Sequence, residues 1–165
     1  MDIVRQGKAL YVGISRWPLE ATRFAAKYLK EHDVPLLIYQ GRLNMLDKEP
    51  MESGILELCR EHGVGFISFS PLAQGLLTDR YLNGIPKDSR MSKGKFLREE
   101  MLTPELLQQL CNWNEEAQKK GESLAEMALA WILQQKGVTS VLVGASSTEQ
   151  LARNLRSIEA QAPDK

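Results

Sequence analysis

Val64-Gly65-Phe66-Ile67-Ser68-Phe69-Ser70-Pro71-Leu72-Ala73-Gln74-Gly75 reads as a short apolar strand that runs straight into a loop. Its first half does not alternate polar with apolar residues, a pattern that suits a parallel strand covered on both faces. Three other runs have the same character: Ala9-Leu10-Tyr11-Val12-Gly13-Ile14, Pro35-Leu36-Leu37-Ile38-Tyr39 and Thr139-Ser140-Val141-Leu142-Val143. Helical patterns lie between them. From Leu19 to Glu31, after Pro18, the residues Leu19, Ala21, Phe24, Ala25, Tyr28 and Leu29 approximate one helical face. A second helix, roughly Glu52 to Glu61, is expected to bury Ile55, Leu56 and Cys59 and to stop at Gly63. Thr103-Pro104-Glu105 is an N-cap, a first-turn proline and a first-turn acid for a helix ending near Lys120. Ser123-Leu124-Ala125-Glu126 is a capping box for Leu124 to Gln135, and a last helix starts near Ser147 and carries Leu151, Leu155 and Ile158.

Alternating β and α elements imply a parallel sheet, whose binding sites lie at the C-terminal ends of the strands. The 165 residues are expected to form a single unit. Four βα units are too few to close a (β/α)8 barrel of about 250 residues. The stretch 71–102, with Gly75, Gly84, Pro86 and Gly94 among many Lys and Arg, is a connection long enough to expect a functional loop.

Composition narrows the classes of function. Twenty-one basic residues balance 21 acidic ones, so no overall field draws the chain to nucleic acid or anionic lipid. No apolar run approaches the roughly 20 residues of a membrane-spanning helix, and Met1 to Lys8 lacks the apolar centre of a signal peptide. Cys59 and Cys111 have no metal-like spacing and are expected as buried thiols in a reducing cytoplasm, a single disulfide being the alternative.

Strand ends then select the residues of interest. Gly144-Ala145-Ser146-Ser147-Thr148-Glu149-Gln150 joins a strand to a helix, where free N–H groups and the helix dipole favour an anion; an ordinary cap from Ser147 to Gln150 is the plainer reading. Ser70 to Gly75 repeats the theme ahead of Arg80, Lys87 and Arg90, and two anion-friendly ends suggest a diphosphate ligand, against a solvated loop. Gln40 offers a donor and an acceptor at a strand end. Phe69 offers a flat face or packs in the core, and Arg16 and Trp17 share that ambiguity. His32 and His62 sit near helix ends, where a surface or last-turn position is expected. Nucleophile elbow, P-loop and dinucleotide glycine motifs are absent.

Gly7-Lys8-Ala9-Leu10-Tyr11-Val12-Gly13-Ile14-Ser15, Ser70-Pro71-Leu72-Ala73-Gln74-Gly75-Leu76-Leu77, Tyr81 to Pro86 with Asp88-Ser89-Arg90, and Val138 to Ser146 together resemble the aldo-keto reductase superfamily. The likeness is strongest to bacterial L-glyceraldehyde 3-phosphate reductases and potassium-channel β-subunits, which share the Ser15-Arg16-Trp17 variant. The resemblance implies part of a TIM barrel, strands five to eight with their helices, and NADP(H) bound across the strand ends. It implies that Ser15, with Arg16 beside it, and Gln40 meet the nicotinamide carboxamide, and that Phe69 stacks on the ring. Ser70, Pro71, Leu72, Ala73 and Gln74 would form the pyrophosphate loop. Arg80, Ser89 and Arg90 would lie in the loop that reaches the phosphate end of the cofactor. Gly144, Ser146, Gln150 and Asn154 would take the adenosine 2′-phosphate and adenine.

Two positions depart from the family pattern: Arg153 stands where Glu is usual, and Gly41-Arg42-Leu43-Asn44 lacks the aromatic residue before its Asn. The family's Asp, Tyr, Lys and His tetrad, in which Tyr protonates the carbonyl oxygen, matches no segment of this chain. The resemblance thus implies NADPH-dependent reduction of a small-molecule aldehyde or ketone, this chain supplying the cofactor half, or an inactive NADP-binding module. A half barrel with open edges is expected to self-associate or to meet a missing N-terminal half.

Overall fold

The computed structural model describes residues 1–87, 89, 91–92, 94 and 97–159. Two compact units emerge, Met1–Phe69 with Ile132–Leu142, and Ser70–Trp131 with Val143–Lys165.

The first unit holds a parallel sheet with strand order β1 (Val12–Ser15), β2 (Leu36–Arg42), β3 (Gly65–Phe69) and β4 (Val138–Val141). After a short helix α1 (Asp2–Arg5), helix α2 (Leu19–Glu31) connects β1 to β2. Helices α3 (Glu49–Glu52) and α4 (Ile55–His62) connect β2 to β3, and α2 and α4 pack on the sheet and on each other. Gly63, with φ of 67°, ends α4 in the left-handed conformation that a glycine adopts without cost.

One face of this sheet is the core. Tyr39 and Phe66 are register partners, both buried, and their rings stack with centroids 5.7 Å apart. Gly41 follows on the same face because a Cβ there would lie 2.7 Å from two ring carbons of Phe66. Buried Ser68 donates its hydroxyl to the carbonyl of Leu43 at 2.7 Å and ties β3 to the turn after β2. The other face is open: Gly13 and Ser15 are exposed, and Ile38, Gln40, Ile67 and Phe69 are half-buried. Full cover on both faces, expected from the apolar runs, is therefore not found.

Helix α2 also departs from its sequence pattern. Its bounds are those expected, but the buried residues are Thr22, Ala25 and Ala26, whereas Phe24 is 67% and Tyr28 39% exposed. The sheet and α4 accept the small residues, and the two aromatics stack on each other outside, centroids 5.6 Å apart. His32 caps the end of α2 and His62 is the last residue of α4, as their sequence positions suggest.

The second unit contains the long connection and helices α5 (Pro104–Lys119), most of α6 (Leu124–Leu133) and α7 (Thr148–Glu159). The connection is anchored by its own apolar side chains, since Leu76, Leu77, Tyr81, Met91 and Leu97 are all buried. Thr103 caps α5 by accepting from the Leu106 amide at 3.2 Å. The capping box of α6 is formed both ways: Ser123 N donates to Glu126 at 2.7 Å, and Glu126 N donates to the Ser123 hydroxyl at 3.2 Å. Helix α7 inverts its expected pattern, with Asn154 and Ser157 buried while Leu151, Leu155 and Ile158 are 43–56% exposed.

The side chain of Glu126 is 8% exposed, and Arg156 donates to its second oxygen at 2.6 Å. Burial opposes its charge, but hydrogen bonds from Ser123 and the Arg156 guanidinium outweigh it and hold the carboxyl below its usual range. A depressed carboxylate stabilises the fold fully above the ordinary glutamate pKa of about 4.3 and loses that contribution as pH falls through the lower folded value. Glu126→Gln is expected to cost about 1–3 kcal/mol at neutral pH and to flatten the acid limb below pH ~4.3. Urea midpoints measured from pH 3 to 7 check this; an unchanged acid limb would refute it.

Candidate functional site

In the first unit, the sheet brings three of the expected residues together. Ser15 is the last residue of β1 and the register partner of Gln40 in β2. The amide of Arg16 donates to the carbonyl of Gln40 at 3.1 Å, carrying the ladder one residue past the strand. Register partners in a parallel pair lie on the same face, so an exposed hydroxyl and a half-exposed carboxamide stand side by side on the open face. Phe69 ends β3 in register with Arg42 and is half-buried.

Arg16 takes a left-handed backbone, φ 57°, without being glycine. It lines a cavity of about 310 Å³ with Trp17, Tyr39, Arg42, Asp47 and Glu49. Arg42 pairs with Asp47 at 2.6 Å. Asn44 sets the turn between them, its side-chain oxygen accepting from the amides of Leu46 and Asp47, both at 2.9 Å. This charged cavity escaped sequence reasoning; the only local signal was the polar Gly41 to Asn44 segment. Tyr39 donates its hydroxyl to the carbonyl of Trp17 at 2.9 Å. Burial first, then the charge of Glu49, pushes its pKa up to about 12. A phenol so placed is a poor proton donor.

In the second unit, Ser70 to Gln74 is a strained loop. Ser70, Ala73 and Gln74 have φ of 51°, 46° and 60°. Pro71 is buried, and Leu72, Ala73 and Gln74 are half-buried. Arg80 is exposed. Ser89 is buried and its hydroxyl accepts from the Ser92 amide at 3.1 Å, so it shapes a turn. Arg90 lies outside the described residues.

At α7, Gly144 to Ser147 is exposed, and a Cβ on Gly144 would meet nothing within 4 Å. The capping is split between two serines. Ser147 accepts from the Gln150 amide at 3.2 Å, and the Gln150 side chain accepts from the Ser146 amide at 2.8 Å and hydroxyl at 3.0 Å. Asn154 is buried, and its side-chain nitrogen has no hydrogen-bond partner among the described residues.

Cys59 and Cys111 are free thiols. Cys59 is buried, which pushes its pKa up to about 11, whereas Cys111 is only half-buried. Among the described residues no cluster could hold a metal ion, and no helix is long and apolar enough to cross a membrane.

A model of the Aldo/keto reductase family matches residues 1–165. Over 159 residues the chain is 49% identical to L-glyceraldehyde 3-phosphate reductase of Escherichia coli (strain K12), covering 94% of this chain and 46% of that protein. Identity to the protein of the same name from Escherichia coli O157:H7 is 50%, with the same coverage. The crystal structure of a thermostable aldo-keto reductase, Tm1743, in complex with the inhibitor epalrestat superposes with a TM-score of 0.66 at 23% identity. That match covers 99% of this chain and 48% of the other, and it bears on the fold alone. The chain thus spans about half the length of the relatives it matches.

Proposed function

Because this chain belongs to the aldo/keto reductase family, we propose that it serves the NADP(H)-dependent reduction of an aldehyde or ketone, supplying residues that hold the cofactor. In this reading its strands correspond to the family's fifth to eighth, and its setting is the cytoplasm. The observation that carries the proposal is the distribution of backbone strain. Arg16, Ser70, Ala73 and Gln74 adopt positive φ without being glycine; only Asp33 does so elsewhere among the described residues. Each such residue costs on the order of 1–3 kcal/mol and persists where function requires the geometry. All four belong to the set that the family resemblance assigns to the cofactor.

The side-chain chemistry on each unit, taken by itself, suits one part of the cofactor. On the first unit, the Ser15 hydroxyl and Gln40 carboxamide would meet the nicotinamide carboxamide, and Phe69 would offer its ring. On the second, Ser70 to Gln74 would take the pyrophosphate. Gly144 would leave room for a phosphate, which would draw the Ser146 hydroxyl and the Gln150 amide from their present acceptors, the Gln150 side chain and the Ser147 hydroxyl. The unpartnered Asn154 nitrogen would gain an acceptor from the adenine. NADPH, when bound, supplies the hydride.

A second reading, an NADP-binding module without turnover, is favoured by Tyr39 and Tyr81, the two buried tyrosines. Tyr39 has its proton committed to Trp17, and Tyr81 is fully buried. We expect saturable NADPH binding by nicotinamide fluorescence, tighter than for NADH. Replacing both Ser15 and Gln40 with Ala is expected to weaken it about tenfold or more, the loss of two hydrogen bonds. No binding at millimolar NADPH would sink both readings. With glyceraldehyde 3-phosphate or methylglyoxal, the isolated chain is expected to consume no NADPH above the uncatalysed rate. Purified turnover would refute the inactive-module reading.

A further inference from the structure

Arg42 is the last residue of β2 and stands two residues beyond Gln40. Alternation along a strand puts both on one face, and Phe69, the register partner of Arg42 on β3, shares it. At about 3.3 Å per residue, the Cα of Arg42 lies about 7 Å past that of Gln40, toward the C-terminal strand ends. The other side chains placed at this end of the face, Ser15, Gln40 and Phe69, are uncharged. Arg42 also lines the cavity of about 310 Å³. The charges around that cavity balance, Arg16 and Arg42 against Asp47 and Glu49. Any attraction for an anion is therefore local to one guanidinium and not a field of the whole cavity.

That guanidinium is held in place. Arg42 Nε lies 2.6 Å from Asp47 Oδ2. Asp47 is itself fixed by the turn: its amide donates to the Asn44 carbonyl at 3.1 Å and to the Asn44 side-chain oxygen at 2.9 Å, and its Oδ1 accepts from the Glu49 amide at 3.3 Å. The Arg42 side chain is 50% exposed, and an ion pair so exposed contributes little to stability. What the pair does is orient the fork. The contact is made through Nε, which leaves both terminal amino groups, the edge of the fork that matches a carboxylate or a phosphate.

We propose that Arg42 is a specificity-determining residue that binds an anionic group, a carboxylate or a phosphate, on a ligand whose reacting end lies at Ser15, Gln40 and Phe69. Asp47 is its positioning residue. The spacing from Gln40 suits a ligand whose anion stands a few bonds from the reacting carbon. The inference rests on the cofactor reading above, which puts the reacting end at those three residues.

Calorimetric titration of the full chain, with and without millimolar NADP+, tests this with two pairs of unreactive alcohols: 4-hydroxybutanoate against 1-butanol, and glycerol 3-phosphate against glycerol. At least one anion is expected to bind about tenfold or more tighter than its neutral counterpart, the effect of charge-assisted hydrogen bonds. Which pair shows the preference distinguishes carboxylate from phosphate. Arg42→Gln should erase it and Arg42→Lys should restore part of it, with circular dichroism and NADPH affinity unchanged. Equal binding of anion and neutral alcohol would overturn the proposal, as would a preference that survives Arg42→Gln, since the anion would then sit elsewhere. Failure of the cofactor reading has a different signature: NADPH does not bind, while the Arg42-dependent preference persists in the chain alone.

Discussion

Phe66→Ala is expected to destabilise the chain by about 3–5 kcal/mol, the usual range for a buried phenylalanine truncated in a close-packed core. Phe66 is fully buried, at the middle of the covered face, stacked on Tyr39 with an interplanar angle of 14°. Gly41 leaves its neighbouring surface without a side chain that could swing in. The cavity would therefore persist, and its cost adds to the lost transfer energy. Urea denaturation followed by circular dichroism measures the effect; a loss below 1 kcal/mol would show that the stack is not the centre of this core. Phe66→Leu should recover most of the stability, because volume matters more here than aromaticity.

The second large effect is at Gly41. Its backbone is ordinary strand, so the requirement is space. An alanine methyl would sit 2.7 Å from two ring carbons of Phe66 and 3.0 Å from a ring carbon of Tyr39. Tyr39 is held by its hydrogen bond to Trp17, and Phe66 has no solvent to turn into. Overpacking of this kind costs about 1–3 kcal/mol. Gly41→Ala is expected to lose that amount alone and to lose markedly less when Phe66 is already Leu. Such a non-additive cycle is the signature of direct contact. Additive losses would mean that the backbone moves instead of the rings.

These two residues also show what the sequence could disclose. The strands were legible because each is a short apolar run, and α2 and α5 because their starts are local: a proline before α2 and a capping threonine before α5. Which face each element buries was not local. Phe24 and Tyr28 have the spacing of a core stripe, yet the neighbouring layer takes Ala25 and Ala26. In α7 the apolar stripe stays outside and Asn154 goes in. At the candidate site, Ser15 and Gln40 could be chosen by the strand-end rule, and their pairing in register followed from the sheet. The left-handed turns at Arg16, Ala73 and Gln74 had no signal at all, since no glycine marks them. The Arg42–Asp47 pair needed the Asn44 turn to bring its partners together.

That strained backbone bears on how the protein could be altered. Glycine at Arg16, Ala73 or Gln74 would relax a conformation that L-residues resist, and a search for thermostability would accept such changes early. The same changes would loosen the loops on which ligand affinity is proposed to rest. Heat tolerance and cofactor retention should therefore move in opposite directions at these positions, a trade-off common where a site is built from strain.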